Sequence, residues 1–149
     1  MPGDHRLVDT NILVHAYTVS DERKHWAAVA LVEPVWGGQP AATTLQNLCE
    51  FFVVVTRKVA KPLSPAEAQV IVEGGAGRVP VARDRSRPRD GAQAIGLVKA
   101  YRASFWDALI AACMLEHGVP TTVTENEADF RKIPGITVLN PFKTGVRPS

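Results

Sequence analysis

The stretch RLVDTNILVHA, residues 6–16, sets Asp9 between two apolar runs, Leu7-Val8 before it and Ile12-Leu13-Val14 after it. Burying a lone carboxylate costs several kcal/mol unless something compensates for it. The run HRLV, 5–8, reads as a short strand with Asp9 at its C-terminal end. Thr10 or Asn11 can cap a helix that starts at once.

The rest of the chain continues the alternation of strand and helix. Residues 21–33, DERKHWAAVALVE, predict a helix with an acidic first turn, stopped by Pro34. PAAT, 40–43, is a short strand or an entry segment. TTLQNLCEFFVVVTRK, 43–58, is a helix with Leu45, Leu48, Cys49, Phe52 and Val53 on its core-facing stripe and a capping box of Thr43 with Gln46. SPAEAQVIVEG, 64–74, starts with Ser64 as N-cap and Pro65 in the first turn. RVPVARDRSRPRDG, 78–91, reads as an irregular basic loop around a short edge strand. DGAQAIGLVKAYR, 90–102, and SFWDALIAACMLEHG, 104–118, are helices, the second with Trp106, Leu109, Ile110 and Cys113 as its apolar stripe. PTTVT, 120–124, and ITVL, 136–139, are strands, and ENEADFRK between them is a polar turn or short helix. This order predicts one α/β domain over 1–149, with a mostly parallel sheet covered by helices on both faces. In such sheets the functional crevice lies at the C-terminal ends of the strands. Asp9 and Asp129 both fall at that edge.

Composition narrows the class. A chain of 149 residues, 46% apolar and 21% charged, can bury a core of ordinary globular type. A net charge of +2 permits a nucleic-acid partner without demanding one. No apolar run reaches the length that spans a bilayer, and MPGDHR leads into a strand rather than a signal peptide. Cys49 and Cys113 lie in apolar helical patterns and read as buried thiols of a reducing compartment, so the expected setting is cytoplasmic. The four histidines show no metal-ligand spacing, and EGGAG, 73–77, lacks the Lys-Ser/Thr that a phosphate loop needs.

Three further acids sit against hydrophobic neighbours. Glu50 lies between Cys49 and Phe51 and shares a narrow polar stripe with Gln46 and Asn47. Asp107 lies between Trp106 and Ala108, and Asp129 precedes Phe130. Each has an ordinary explanation. Asp9 could simply cap a helix, Glu50 and Asp129 could be solvated, and Ser104 with Asp107 forms a capping box at a helix start that favours an acid. If the four converge, mutual repulsion raises some of their pKa values. A hard divalent cation, Mg²⁺ or Mn²⁺, would relieve that repulsion and could bind substrate phosphate oxygens.

Asp9-Thr10-Asn11 after a first strand, LCEFFVVVTRK with Glu50, SFWDALIAAC with Asp107 and the closing TENEADFRKIPGITVLNPF together resemble the PIN domain, and within it the VapC-type toxins of bacterial toxin–antitoxin pairs. The likeness runs from Arg6 to about Phe142. It implies a three-layer α/β/α sandwich with a mostly parallel sheet, and a Mg²⁺- or Mn²⁺-dependent ribonuclease. Asp9, Glu50, Asp107 and Asp129 would be its catalytic acids, the first three holding the metal. Thr10 and Asn11 would hold Asp9, and Ser104 would orient Asp107. Many relatives carry a further acid where this chain has Asn126, which can bind a metal water but adds no charge. Water activated by the metal would attack a backbone phosphate in line, leaving a 5′-phosphate and a 3′-hydroxyl.

The resemblance also implies partners: tRNA or ribosomal RNA, a cognate antitoxin protein and a second copy in a homodimer, with no membrane. Arg83, Arg85, Arg87 and Arg89 form a basic cluster that could contact RNA phosphates or be a solvated loop. Trp36 beside Gly37 could stack on a base or anchor a loop. Two other functions compete. A catalytically silent PIN-like module would bind RNA or protein without needing all four acids. A phosphatase of the haloacid-dehalogenase type needs an Asp where Asn11 stands.

Overall fold

The computed structural model describes residues 5–37, 39, 41–75 and 88–143, with the side chains of 88 and 89 excepted. In chain order it contains β1 (Arg6–Val8), α1 (Thr10–Tyr17), α2 (Glu22–Trp36), α3 (Leu45–Arg57) and α4 (Pro65–Val70), which a π-helical turn (Ile71–Gly75) extends. Then come α5 (Pro88–Tyr101), α6 (Phe105–Glu116), β2 (Thr121–Val123), α7 (Glu127–Arg131) and β3 (Thr137–Leu139). The strands are parallel in the order β1-β2-β3, with Leu7 opposite Thr122 and Thr122 opposite Val138. The 40–43 segment contributes one parallel bridge, Ala42 to Leu7, on the free side of β1.

Alternation along β1 divides the core in two. Val8 points into a cluster with Ile12 and Leu13 of α1, Val32 of α2 and Phe51 and Val55 of α3. Leu7 points the other way, toward Ile110 and Met114 of α6, Phe130 of α7 and Ile133. Successive strand residues face opposite sides, so a three-residue strand suffices to seat helices on both faces. The result is the expected α/β/α sandwich. Among the described residues, no helix is long and apolar enough to cross a membrane.

Several local expectations change. Pro34 does not stop α2, which runs on to Trp36. A proline in the last turn forfeits one backbone donor, and buried Val35 together with the Trp36 Nε1 bond to the Tyr17 hydroxyl (2.8 Å) secures that turn. Trp36 is therefore an anchor. The α3 capping box is Thr44 with Asn47, one residue later than Thr43 with Gln46. Thr43 is buried instead, donating to the Val8 carbonyl (3.3 Å). The buried stripe of α3 runs through Asn47, Leu48, Phe51 and Val55, leaving Leu45, Cys49, Phe52 and Val53 at the surface or its margin. In α6 the buried residues are mostly alanines, with Ile110 and Met114, which lets α5 approach closely. Trp106 is consequently turned out, 61% exposed, and Cys113 is only partly buried. Gly118 ends α6 with φ +67°, a left-handed conformation that side chains disfavour. Arg83, Arg85 and Arg87 lie outside the described residues, as does the edge strand expected around them, and so does the side chain of Arg89.

Candidate active site

The C-terminal ends of β1 and β2 lie side by side, so the residues that follow them, Asp9 and Thr124, meet. The Asp9 backbone donates to the Val123 carbonyl (3.1 Å), and Thr124 donates to that of Leu139 (2.9 Å). Asp9 is buried, and hydrogen-bond donors reach both of its side-chain oxygens. Oδ1 accepts from the Thr10 backbone N–H (2.9 Å) and from Asn47 Nδ2 (2.8 Å). Oδ2 accepts from the Thr124 hydroxyl (2.7 Å) and, at 3.4 Å, from Asn11 Nδ2. Burial pushes the Asp9 carboxyl above its ordinary pKa; the Thr124, Thr10 and Asn47 hydrogen bonds oppose that shift, and the Glu50 charge adds to it.

Glu50 arrives from α3, at the exposed side of the same hollow. Its Oε2 accepts from the Thr10 hydroxyl (3.0 Å) and its Oε1 from Gln46 Nε2 (3.1 Å). Thr10 therefore serves two acids, Asp9 through its backbone and Glu50 through its side chain. Asp107 comes from the first turn of α6, where Ser104 is the N-cap and accepts from the Asp107 backbone (3.4 Å). Asp107 Oδ2 accepts from Asn126 Nδ2 (3.1 Å). Desolvation, together with the nearby charges of Asp9 and Asp129 and a hydrogen bond shared with Asp129, raises Asp107 to about 6, against the bond from Ser104.

Asp9, Glu50 and Asp107 line one pocket of about 290 Å³ with Thr10, Asn11, Asn126, His15 and two valines. Asp129 stands behind it. Lys132 Nζ donates to Asp129 Oδ1 (3.1 Å) and to the Arg102 carbonyl (3.2 Å), and the Ser104 backbone N–H also bonds the Asp129 carboxylate. These bonds, that from Lys132 foremost, hold Asp129 below the ordinary carboxylate range. Among the described residues, Asp129 is the one of the four acids with a lysine partner, and it touches the pocket through Asp107.

The polar contacts that matter most for Asp9 come from residues to which the sequence assigned no role. Asn47 and Thr124 are fully buried. The available signal was an amide and a hydroxyl set among apolar neighbours, Asn47 three residues before Glu50 and Thr124 at the end of β2. Among the described residues, no three His, Cys, Asp or Glu side chains form a ready-made metal cage. The pocket suits a hard cation that keeps its waters: its donors are carboxylate oxygens, two of them with raised affinity for a proton. At the rim, Glu125 pairs with Lys24 and lies 3.7 Å from His15 Nε2, while its backbone N–H binds Asn11 Oδ1 (3.1 Å).

Comparison with known proteins adds three findings. The PIN domain family matches residues 6–136. No curated protein matches the sequence. Solved structures match the fold at low identity. A toxin–antitoxin complex from Klebsiella pneumoniae aligns with a TM-score of 0.66 and 22% identity, over 93% of this chain and 98% of that one. VapBC2 from Rickettsia felis, bound to a DNA fragment from its promoter, gives 0.64 and 18% over 91% and 97%. A sarcin–ricin-loop-cleaving toxin from Mycobacterium tuberculosis gives 0.59 and 21% over 78% and 85%.

Proposed function

This chain belongs to the PIN domain family, and we propose from that premise that it is a metal-dependent endoribonuclease, the toxin of a toxin–antitoxin pair. One observation carries the proposal: Asp9, Glu50 and Asp107, drawn from three separate elements, line a single pocket at the C-terminal edge of the sheet. Three acids drawn together, one of them buried, are an arrangement that folding alone does not require.

Asp9, Glu50 and Asp107 would hold Mg²⁺ or Mn²⁺, directly or through its waters. The cation, when bound, polarises a phosphate and lowers the pKa of a coordinated water. The chain's own residues set the geometry. Asn47, Thr124 and the Thr10 N–H fix both oxygens of Asp9. Thr10 and Gln46 fix Glu50, one on each oxygen. Asn126 and Ser104 orient Asp107, and Asp129, restrained by Lys132, completes the acidic ring from behind. RNA is the proposed substrate, with tRNA and ribosomal RNA the classes to try, and the M. tuberculosis neighbour, named for cleaving the sarcin–ricin loop, supports cleavage as the activity. A cognate antitoxin is the proposed partner, since similar folds occur in toxin–antitoxin complexes. Assembly as a homodimer in the cytoplasm completes the reading.

The test incubates antitoxin-free protein with mixed tRNA and ribosomal RNA in Mg²⁺, in Mn²⁺ and in EDTA, beside Asp9→Asn. Discrete fragments that disappear with EDTA and with the variant are expected. Intact RNA under both metals, with RNA still retained in a gel shift, would establish a silent binding module instead.

A further inference from the structure

Helix α6 opens with two aromatic rings at the surface, Phe105 at 37% and Trp106 at 61% exposure. They meet edge to face, centroids 5.1 Å apart and planes at 72°, so each ring restrains the other. The peptide that carries the indole is tied to the acid pocket. Gln46 Nε2 lies within hydrogen-bond reach of both the Trp106 carbonyl (3.3 Å) and Glu50 Oε1 (3.1 Å), and the next residue is Asp107. Neighbouring helical residues project about 100° apart. The indole therefore flanks the pocket without lining it. Trp26 is equally exposed but lies on α2 against His25, and Trp36 is bonded to Tyr17. Trp106 is the tryptophan whose backbone is fixed to two of the acids.

A nuclease of this kind needs such a surface. Acids that hold a cation repel the rest of a polyanionic substrate, and one cation answers only the phosphate beside it. An aromatic face adds affinity that does not depend on charge, and every base can use it. We propose that Trp106 is a stacking platform for a base of single-stranded RNA, on a nucleotide next to the phosphate presented to Asp9, Glu50 and Asp107. This rests on the nuclease reading for its substrate, and it is tested by binding alone.

Short, labelled, single-stranded RNA of mixed sequence is titrated with antitoxin-free protein in Ca²⁺ across a range of salt, with the RNA checked intact on a gel. Trp106→Ala should weaken binding about tenfold and Trp106→Phe no more than about threefold. The slope of log K against log salt should be the same for all three proteins, because no phosphate contact is lost. An abasic position scanned along the RNA should, at one site, weaken the wild type to the level of Trp106→Ala and leave that variant unaffected. Wild-type affinity in Trp106→Ala, an abasic penalty that persists in it, or no RNA binding by the wild type would each overturn the proposal. So would a dimer that Trp106→Ala converts to monomer with RNA affinity per chain unchanged, since the indole would then cover a second copy. RNA bound through Trp106 yet uncut in Mg²⁺ and Mn²⁺ would remove the nuclease reading and leave the platform standing.

Discussion

Asp9 can sit among apolar residues because four donors reach its two oxygens, and Asp107 has fewer. Desolvation, with the charges of Asp9 and Asp129 beside it, gives Asp107 a measurable titration. Its folded-state pKa of about 6 stands above the ordinary 3.8, so the folded chain holds this proton more tightly than the unfolded chain. The sign follows directly: the favourable contribution is complete below about pH 4 and is lost as pH rises through about 6. In EDTA, Asp107→Asn, which mimics the protonated form, should gain stability over the wild type by about 1 kcal/mol between pH 4 and 7, solvent screening having reduced the full shift. Thermal melts of both proteins across that window measure it, and a constant difference between them would contradict it. The acids stood out in the sequence as carboxylates beside hydrophobic neighbours, but each had an ordinary explanation there, and the resemblance to the PIN domain is what singled out these four. The donors did not stand out. Asn47 and Thr124 lie 38 and 115 positions from Asp9, and only the fold brings them to it.

At the scale of one element, α3 couples its own cap to the site. Thr44 accepts from the Asn47 N–H (3.0 Å) and its hydroxyl donates to Asn47 Oδ1 (2.7 Å), while the same amide's Nδ2 holds Asp9. Thr44→Ala should cost about 1 kcal/mol, as loss of an N-cap does. Asn47→Ala should cost about 2–3 kcal/mol, since it strips a buried carboxylate of a donor and a buried backbone N–H of its acceptor. The double variant should lose less than the sum, because both changes break the same cap. Urea denaturation of the three proteins tests this, and strict additivity would uncouple the cap from the site. The sequence located α3 but placed its cap and its buried face wrongly. Five apolar residues in a row, Phe51–Val55, fit more than one helical face, so periodicity alone could not choose between them. The same ambiguity put Trp106 in the core: the apolar pattern of α6 has no polar face to turn outward, and the face that is buried is three alanines with Ile110 and Met114.

Over the whole molecule, β1 and β2 pair directly although more than a hundred residues separate them. That pairing brings Thr124 to Asp9, and α3 and α6 carry Glu50 and Asp107 to the same edge. The alternation of strands and helices made this edge readable, since parallel strands align their C-terminal ends whatever lies between them. Bringing the acids together also destabilises the metal-free fold, by burial and by repulsion between Asp9, Glu50 and Asp107. A divalent cation that binds only the folded state should reverse this. At about ten times its Kd it contributes about 1.4 kcal/mol, roughly 3–6 °C in Tm for a domain of this size. The gain should also depend on pH in the sense opposite to the metal-free trend. Below pH 6 a proton occupies Asp107 and competes with the cation, so Mg²⁺ should add little at pH 5 and its full increment at pH 8. The metal-free protein loses stability over that same interval, and the two melting curves should therefore diverge as pH rises. Asp107→Asn should close most of the gap by raising the metal-free curve and flattening the response to Mg²⁺. A Mg²⁺ increment of equal size at pH 5 and pH 8 would mean that the cation binds elsewhere, and that the pocket's raised carboxylates serve something other than a metal.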